Sequence, residues 1–394
     1  TSQSTSTIAK IFGINQGDKF GSTAAIISDL DKDGGPEIMI GAPGAKNTAG
    51  AKVGKVYIYN KASIDNASTG QTEQNAWKIL EGSADGDNFG VSFAVVGDVN
   101  GDGFEDIAIA SVRLPTTNNY VSIYSSKDFA LISKITGENL GDGFGRSIVA
   151  LGNGEFAIGA PDAKNITGLQ TGKVYIFSGS TITSATASGA VKIIEGTADK
   201  DYFGMSLAVG NVVGDSKPEL IVGAPAANSG TGSVYILDMA NLPTNANGAI
   251  YKVNGENQND LFGSKISVSE KQDANGNSPL LVGAFGYSNM AGRAYIYGSQ
   301  EIINPAATPA TPIDRPQGMA SSYFGLSVAW INNSADNFSL PLLIGAAGSI
   351  TLFKDMGVIQ SIRTQPPTII NGPQTNDGFG YVVGDYNSSQ SIFN

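Results

Sequence analysis

Two short stretches carry the residues best suited to chemistry. In the first, Asp29, Asp31, Asp33 and Glu37 stand at positions 1, 3, 5 and 9 of a nine-residue loop. In the second, Asp98, Asn100, Asp102 and Asp106 occupy the same positions. Gly34 and Gly103 follow the third acidic position and permit a sharp bend. The backbone carbonyls of Gly35 and Phe104 can then turn inward. Alternating side-chain oxygens plus one carbonyl make a ring of hard ligands. That is the chemistry of Ca2+, which takes roughly six to eight oxygens at about 2.3–2.6 Å. Magnesium demands a tighter octahedron, and transition metals usually recruit imidazole or thiolate. The competing reading is an Asp/Gly turn that needs no ion. Against it, converging carboxylates without a cation repel one another and resist ionisation. The predicted metal ligands are therefore Asp29, Asp31, Asp33, Gly35, Glu37, Asp98, Asn100, Asp102, Phe104 and Asp106.

Other chemistry is narrowed by composition. The 394 residues include no histidine and no cysteine. Ser-His-Asp and Cys-His arrangements are thereby excluded, as are the usual zinc ligand sets and disulfides. Paired carboxylates can hydrolyse glycosides, but the evident ones sit in the metal loops, and no Ser-x-Asp-x-Gly-x-Thr-Trp box is present. No phosphate-cradling Gly-x-x-x-x-Gly-Lys-Ser/Thr occurs either. The sequence reads as a non-enzyme. A formal charge of -11 disfavours nucleic acid and anionic bilayers as partners. No apolar run of about 18 residues is long enough to insert in a membrane. The chain starts at Thr1 without a signal peptide, which reads as prior removal or excision from a longer chain.

The elements that must hold these loops come from a repeat. Phe-Gly recurs seven times, at Phe20, Phe89, Phe144, Phe203, Phe262, Phe324 and Phe379. The spacing, between 55 and 69 residues, suits a four-stranded sheet with generous loops. Each unit runs from Phe-Gly through a small, apolar first strand and the acidic turn to a second strand. That second strand ends in Gly-Ala-Pro at Gly41, Gly159 and Gly223, weakening at Gly283 and Gly345. Alternating third strands follow, such as Gly172-Lys-Val-Tyr-Ile-Phe177. Their tyrosines, Tyr57, Tyr59, Tyr175, Tyr235, Tyr295 and Tyr297, have the period of blade packing. Outer strands end in glycines such as Gly82, Gly137 and Gly196. The predicted fold is all-β: one domain over 1–394, a seven-bladed β-propeller of four-stranded antiparallel blades. The last blade, from Phe379 to Val383, is incomplete or closed by the N-terminal strand Ile8–Gly13. The acidic loop decays elsewhere. Blade 4 keeps Asn211, Asp215 and Glu219 but has Val213 and Ser216 at key positions. Blades 4 and 7 offer at most a weak third site.

These motifs resemble the FG-GAP repeats of integrin α-subunit head domains and related bacterial and eukaryotic surface proteins. Phe89-Gly90 and Phe203-Gly204 match the first half of that motif, and Gly159-Ala-Pro161 and Gly223-Ala-Pro225 the second. The loops Asp29–Glu37 and Asp98–Asp106 match the family's calcium sites. The resemblance implies a calcium-stabilised propeller in a secreted, cell-surface or envelope protein that binds other macromolecules. Integrin heads carry their calcium loops in later blades and normally contain cysteines. Both departures identify this chain with a microbial relative rather than an integrin subunit.

A rigid ring with long loops suits adhesion or recognition of a protein or glycan. Candidate contact loops are the insertions after the third strands, at 61–75, 178–189, 240–247 and 299–312. The rival reading is a structural subunit of a surface layer, matrix or filament that self-associates through the incomplete blade. A glycan-active enzyme ranks below both. Lysines after Gly-Ala-Pro, such as Lys46 and Lys164, read as a solvated rim rather than an anion site.

Overall fold

A computed structural model describes residues 11–65, 71–112, 118–183, 186–269, 272, 276–304, 312, 316–319, 321–330, 342–346, 349–353 and 368–371. It is built of antiparallel sheets in which consecutive strands pair. Blade 1 comprises Thr23–Ile27, Glu37–Ala42, Lys55–Tyr59 and Lys78–Glu81. Blade 2 comprises Phe89–Gly97, Asp106–Ser111, Tyr120–Ser125 and Leu131–Thr136. Blades 3 and 4 open at Ser147–Gly152 and Ser206–Gly210, and a further four-stranded sheet opens at Ser327–Trp330. Among the described residues the fifth repeat has three strands, Lys265–Val268, Leu280–Ala284 and Arg293–Tyr297.

The expected seven-bladed count is corrected by this topology: among the described residues there are five four-stranded blades. Most of the stretch expected to supply the outer strand of the fifth repeat, 305–311 and 313–315, lies outside the described residues. Among the described residues, that side of the sheet has one bridge, Arg293 to Gln317, and a hydrogen bond from the Ala294 amide to the Pro316 carbonyl at 3.0 Å. The expected seventh unit, Phe379 to Val383, and its acidic loop lie outside the described residues. Of the predicted N-terminal outer strand, Ile11–Phe12 is described, and it pairs in parallel with Gln71–Thr72 beside blade 1. Thr136 meets Thr186 and Glu195 meets Asn245 in the same parallel manner. The N-terminal segment thus takes the place of an outer-strand end next to blade 1.

The Phe-Gly and Gly-Ala-Pro motifs are the joints between blades. The Gly204 amide donates to the Gly223 carbonyl of its own blade at 3.1 Å. Its carbonyl faces backwards to blade 3, where a Cβ added to Gly159 would lie 2.1 Å from it. Only glycine allows that approach. The hydroxyls of Ser147 and Ser206 tie the same joints, donating to the carbonyls of Gly204 and Gly263 at 2.8 and 2.7 Å. Five of the phenyls, from Phe20 to Phe262, stand edge-on to a third-strand tyrosine, as in Phe144–Tyr175 at 5.4 Å and Phe262–Tyr295 at 5.1 Å between ring centroids. All six predicted core tyrosines are buried. Apolar clusters lie between adjacent sheets: Ile109 of blade 2 packs with Val56 of blade 1, and Ile123 with Tyr175 of blade 3. First strands from six repeats, including Thr23, Ser92, Ser147, Ser206, Lys265 and Ser327, line one central channel.

An aspartate two residues before Phe-Gly completes each turn at Asp18, Asp87, Asp142, Asp201 and Asp260, and all five are buried. Asp142 accepts the amides of Asn139 and Phe144 at 3.1 and 3.0 Å. These carboxylates are capping groups of the turn.

Candidate metal centre

Both acidic loops connect a first strand to a second, at the blade end opposite the Phe-Gly turns. In blade 1 the chain leaves Ile27, turns through 28–36 and re-enters the sheet at Glu37. Asp29 shapes the turn by accepting the amides of Asp33 and Gly34 at 3.0 and 2.9 Å. Asp31 and Asp33 accept from Asp33 and Gly35 at 3.1 and 3.0 Å. Gly34, at φ +92°, takes the left-handed bend that a side chain would resist. The result brings one oxygen from each of Asp29, Asp31, Asp33 and Glu37 within 4.8 Å of one another. Glu37 is fully buried; one carboxylate oxygen accepts the Leu30 amide, while Oε1 has no partner. Burial pushes its pKa up to about 8, opposed by the Leu30 hydrogen bond and reinforced by Asp31, Asp29 and Asp33.

Blade 2 repeats this scaffold residue for residue. Asp98 accepts from Asp102 and Gly103 at 3.1 and 2.8 Å, and Asp102 accepts from Phe104 at 3.0 Å. Asn100 stands in for Asp31, accepting the Asp102 amide at 2.8 Å. Asp106 is buried, accepts the Val99 amide at 2.9 Å, and leaves Oδ1 without a partner. Burial raises its pKa to about 6, against the Val99 and Asn100 amides. The Asp102 carboxyl moves the other way, held below its ordinary range by the Phe104 amide, then by Asn100, Ser125 and Lys127. Among the described residues only the blade 1 loop gathers its carboxylates tightly. Two differences of composition accompany this: Asp106 is one methylene shorter than Glu37, and Asn100 leaves blade 2 with three carboxylates.

Comparison with known proteins locates this loop system in a family. The FG-GAP repeat pattern matches residues 20–59, 89–124 and 203–237, which are blades 1, 2 and 4 up to their third strands. Integrin alpha-V of Gallus gallus is 27% identical over 76% of this chain and 30% of its own length. Integrin alpha-PS2 of Drosophila melanogaster is 31% identical over 54% of this chain and 16% of its own. The chain carries FG-GAP repeats and is similar to integrin α subunits. A phosphatidylinositol-glycan-specific phospholipase D of Dictyostelium discoideum is also similar, 26% identical over 59% of this chain and 30% of its own length. The chain therefore spans less than a third of the length of each of these relatives.

In this FG-GAP propeller two further residues serve the loops, and sequence reasoning missed both. The Asn60 amide donates to Asp31 at 2.8 Å, and the Ser125 hydroxyl to Asp102 at 3.1 Å. Each lies at the end of its blade's third strand. The signal was present as a polar residue in the same repeat position, but nothing in one dimension says that strand ends over the loop.

The donor set fits a divalent cation. It is all oxygen, its carboxylates converge in blade 1, and each loop keeps a buried oxygen that no protein group satisfies. The acidic cluster of Asp29, Asp31, Asp33 and Glu37 can hold a metal ion. In blade 4 Glu219 accepts the Val212 and Val213 amides at 2.9 and 3.3 Å, as Asp106 does from Val99 and Asn100. Asn211 accepts from Gly214 at 2.9 Å and donates to the Gly276 carbonyl in the fifth repeat at 2.8 Å. That cross-repeat contact, with Val213 in place of a ligating residue type, sets the blade 4 loop apart.

Proposed function

We propose that residues 1–394 act as one calcium-stabilised recognition module, secreted or displayed at a cell surface, whose rigid ring binds a protein or glycan partner without catalysis. The observation that carries this reading is the blade 1 cluster. Four carboxylates converge on one point with Glu37 Oε1 buried and unpartnered, within repeats shared with integrin α relatives. Calcium bound by Asp29, Asp31, Asp33, the Gly35 carbonyl and Glu37 relieves their mutual repulsion and satisfies the buried oxygen. The matching set in blade 2 is Asp98, Asn100, Asp102, the Phe104 carbonyl and Asp106. When bound, the ion supplies charge neutralisation and cross-links the two innermost strands; the residues themselves set the geometry. The phospholipase relatives do not carry an activity over. The match covers 30% of the Dictyostelium relative, and this chain has neither histidine nor cysteine to act as base or nucleophile.

The test is binding of the purified chain to arrayed extracellular-matrix proteins and glycans, in calcium and in excess chelator. Binding that disappears on chelation and in Asp33→Ala supports the proposal. Self-association with rising concentration, and no bound ligand, would favour the structural-subunit reading instead. Binding indifferent to calcium would remove the ion from the account.

A further inference from the structure

We propose that the two acidic loops form one coupled unit, in which a divalent cation in the blade 1 loop raises the affinity of the blade 2 loop. The inference rests on the calcium reading above and extends it from two sites to an interaction between them. Two contacts join the loops across the blade interface. The Ser28 hydroxyl donates to the Glu105 carboxylate. Ser28 immediately precedes the ligand Asp29, and Glu105 immediately precedes Asp106. Secondly, the Lys32 ammonium stands 3.9 Å from the centroid of the Phe104 ring. Lys32 lies between the ligands Asp31 and Asp33, held in the left-handed region at φ +61°. Phe104 contributes its carbonyl to the blade 2 set, and its ring also receives Lys127 at 5.6 Å. Ser28–Glu105 therefore links the neighbours of two ligands, and Lys32–Phe104 links the neighbour of Asp31 and Asp33 to a residue whose carbonyl is in the blade 2 set.

An ion that fixes Asp31 and Asp33 also fixes the backbone that carries Lys32, and through it the ring of Phe104. The ordering needed by the second loop is then already in place when its ion arrives. Repulsion between two bound cations opposes this. Yet four carboxylates, one lysine and one divalent ion still leave the first loop net negative, and physiological salt screens the remainder. The order of filling follows from the asymmetry described above. Blade 1 gathers four carboxylates and blade 2 has only three, with the amide of Asn100 where blade 1 has Asp31.

Calorimetric titration of the full-length chain with calcium chloride tests the coupling, with thermal melting confirming that each variant is folded. The native chain takes up two ions. Asp33→Ala, which disables the blade 1 loop, lowers the affinity of the remaining site about 5-fold or more. In a background carrying Ser28→Ala and Phe104→Leu, both sites still fill, and Asp33→Ala leaves the blade 2 affinity unchanged. Two ions that bind independently in the native chain would overturn the coupling while leaving the calcium reading intact. No uptake at all would overturn both. A 5-fold loss that persists in the uncoupled background would show that Ser28 and Phe104 are not the link, and would overturn the proposed route.

Discussion

Asn60 and Ser125 hold Asp31 and Asp102 from outside the ligand ring, each from the end of a third strand. Such supporting donors orient a ligand without touching the ion, and their loss typically costs about 10- to 100-fold in affinity. Asn60→Ala is expected to weaken calcium binding by about tenfold while the chain stays folded, as read by calorimetric titration. Asp102→Ala removes a proposed ligand and is expected to weaken the blade 2 site at least as much; an unchanged titration would make Asp102 a turn residue only. Glu219, in the blade 4 loop, gives a pH prediction. Burial raises its pKa from the ordinary 4.5 to about 7, aided by Asp215 and Asp238. The fold thus favours the protonated form. That contribution is complete below about pH 4.5 and is lost as pH rises through about 7. Glu219→Gln is neutral at every pH, so its melting temperature should exceed the parent's at about pH 8 and match it near pH 4.5.

At the scale of the element, the repeat is a set of joints rather than a set of independent sheets. Gly159 meets the Gly204 carbonyl of the next blade so closely that a methyl group would sit 2.1 Å from it. Gly168, by contrast, has φ +85° and open space around its missing Cβ. Gly159→Ala is therefore expected to destabilise by about 3 kcal/mol or more, because blades must part to admit the methyl. Gly168→Ala should cost only about 1 kcal/mol of backbone strain. Urea unfolding of the two variants beside the parent checks the contrast. Equal losses would mean that the inter-blade approach is not what requires glycine.

For the molecule as a whole, the acidic loops place like charges beside the innermost strands of two adjacent blades. Relief of that repulsion is shared by the ring because apolar clusters run from blade to blade. Calcium at about 100 times its dissociation constant should add about 2.7 kcal/mol per site by mass action. Thermal melting in saturating calcium and then in excess chelator should show a clear drop in midpoint. Identical midpoints after verified metal removal would contradict an ion-stabilised ring.

Strand order, the Phe-Gly and Gly-Ala-Pro landmarks, the buried tyrosines and both acidic loops were legible in the linear sequence. Each is a local pattern repeated at nearly constant phase, so the period itself reports which residues are equivalent. The Asp at two residues before Phe-Gly was equally periodic and went unread, because a capping carboxylate resembles any polar loop residue. The number of blades was not legible. A motif count reports repeats, whereas a blade needs four paired strands, and among the described residues the fifth repeat pairs three. Nor could spacing alone distinguish the blade 1 cluster from its looser copy in blade 2. That depends on how far Glu37 and Asp106 reach into the turn. The same holds for Asn60, Ser125 and the Ser28–Glu105 and Lys32–Phe104 links, which join residues 23 to 77 positions apart. Repetition encodes what each unit is, since it is written once per unit. What the units do to one another depends on the close approach of neighbouring blades, and only the tertiary structure decides it.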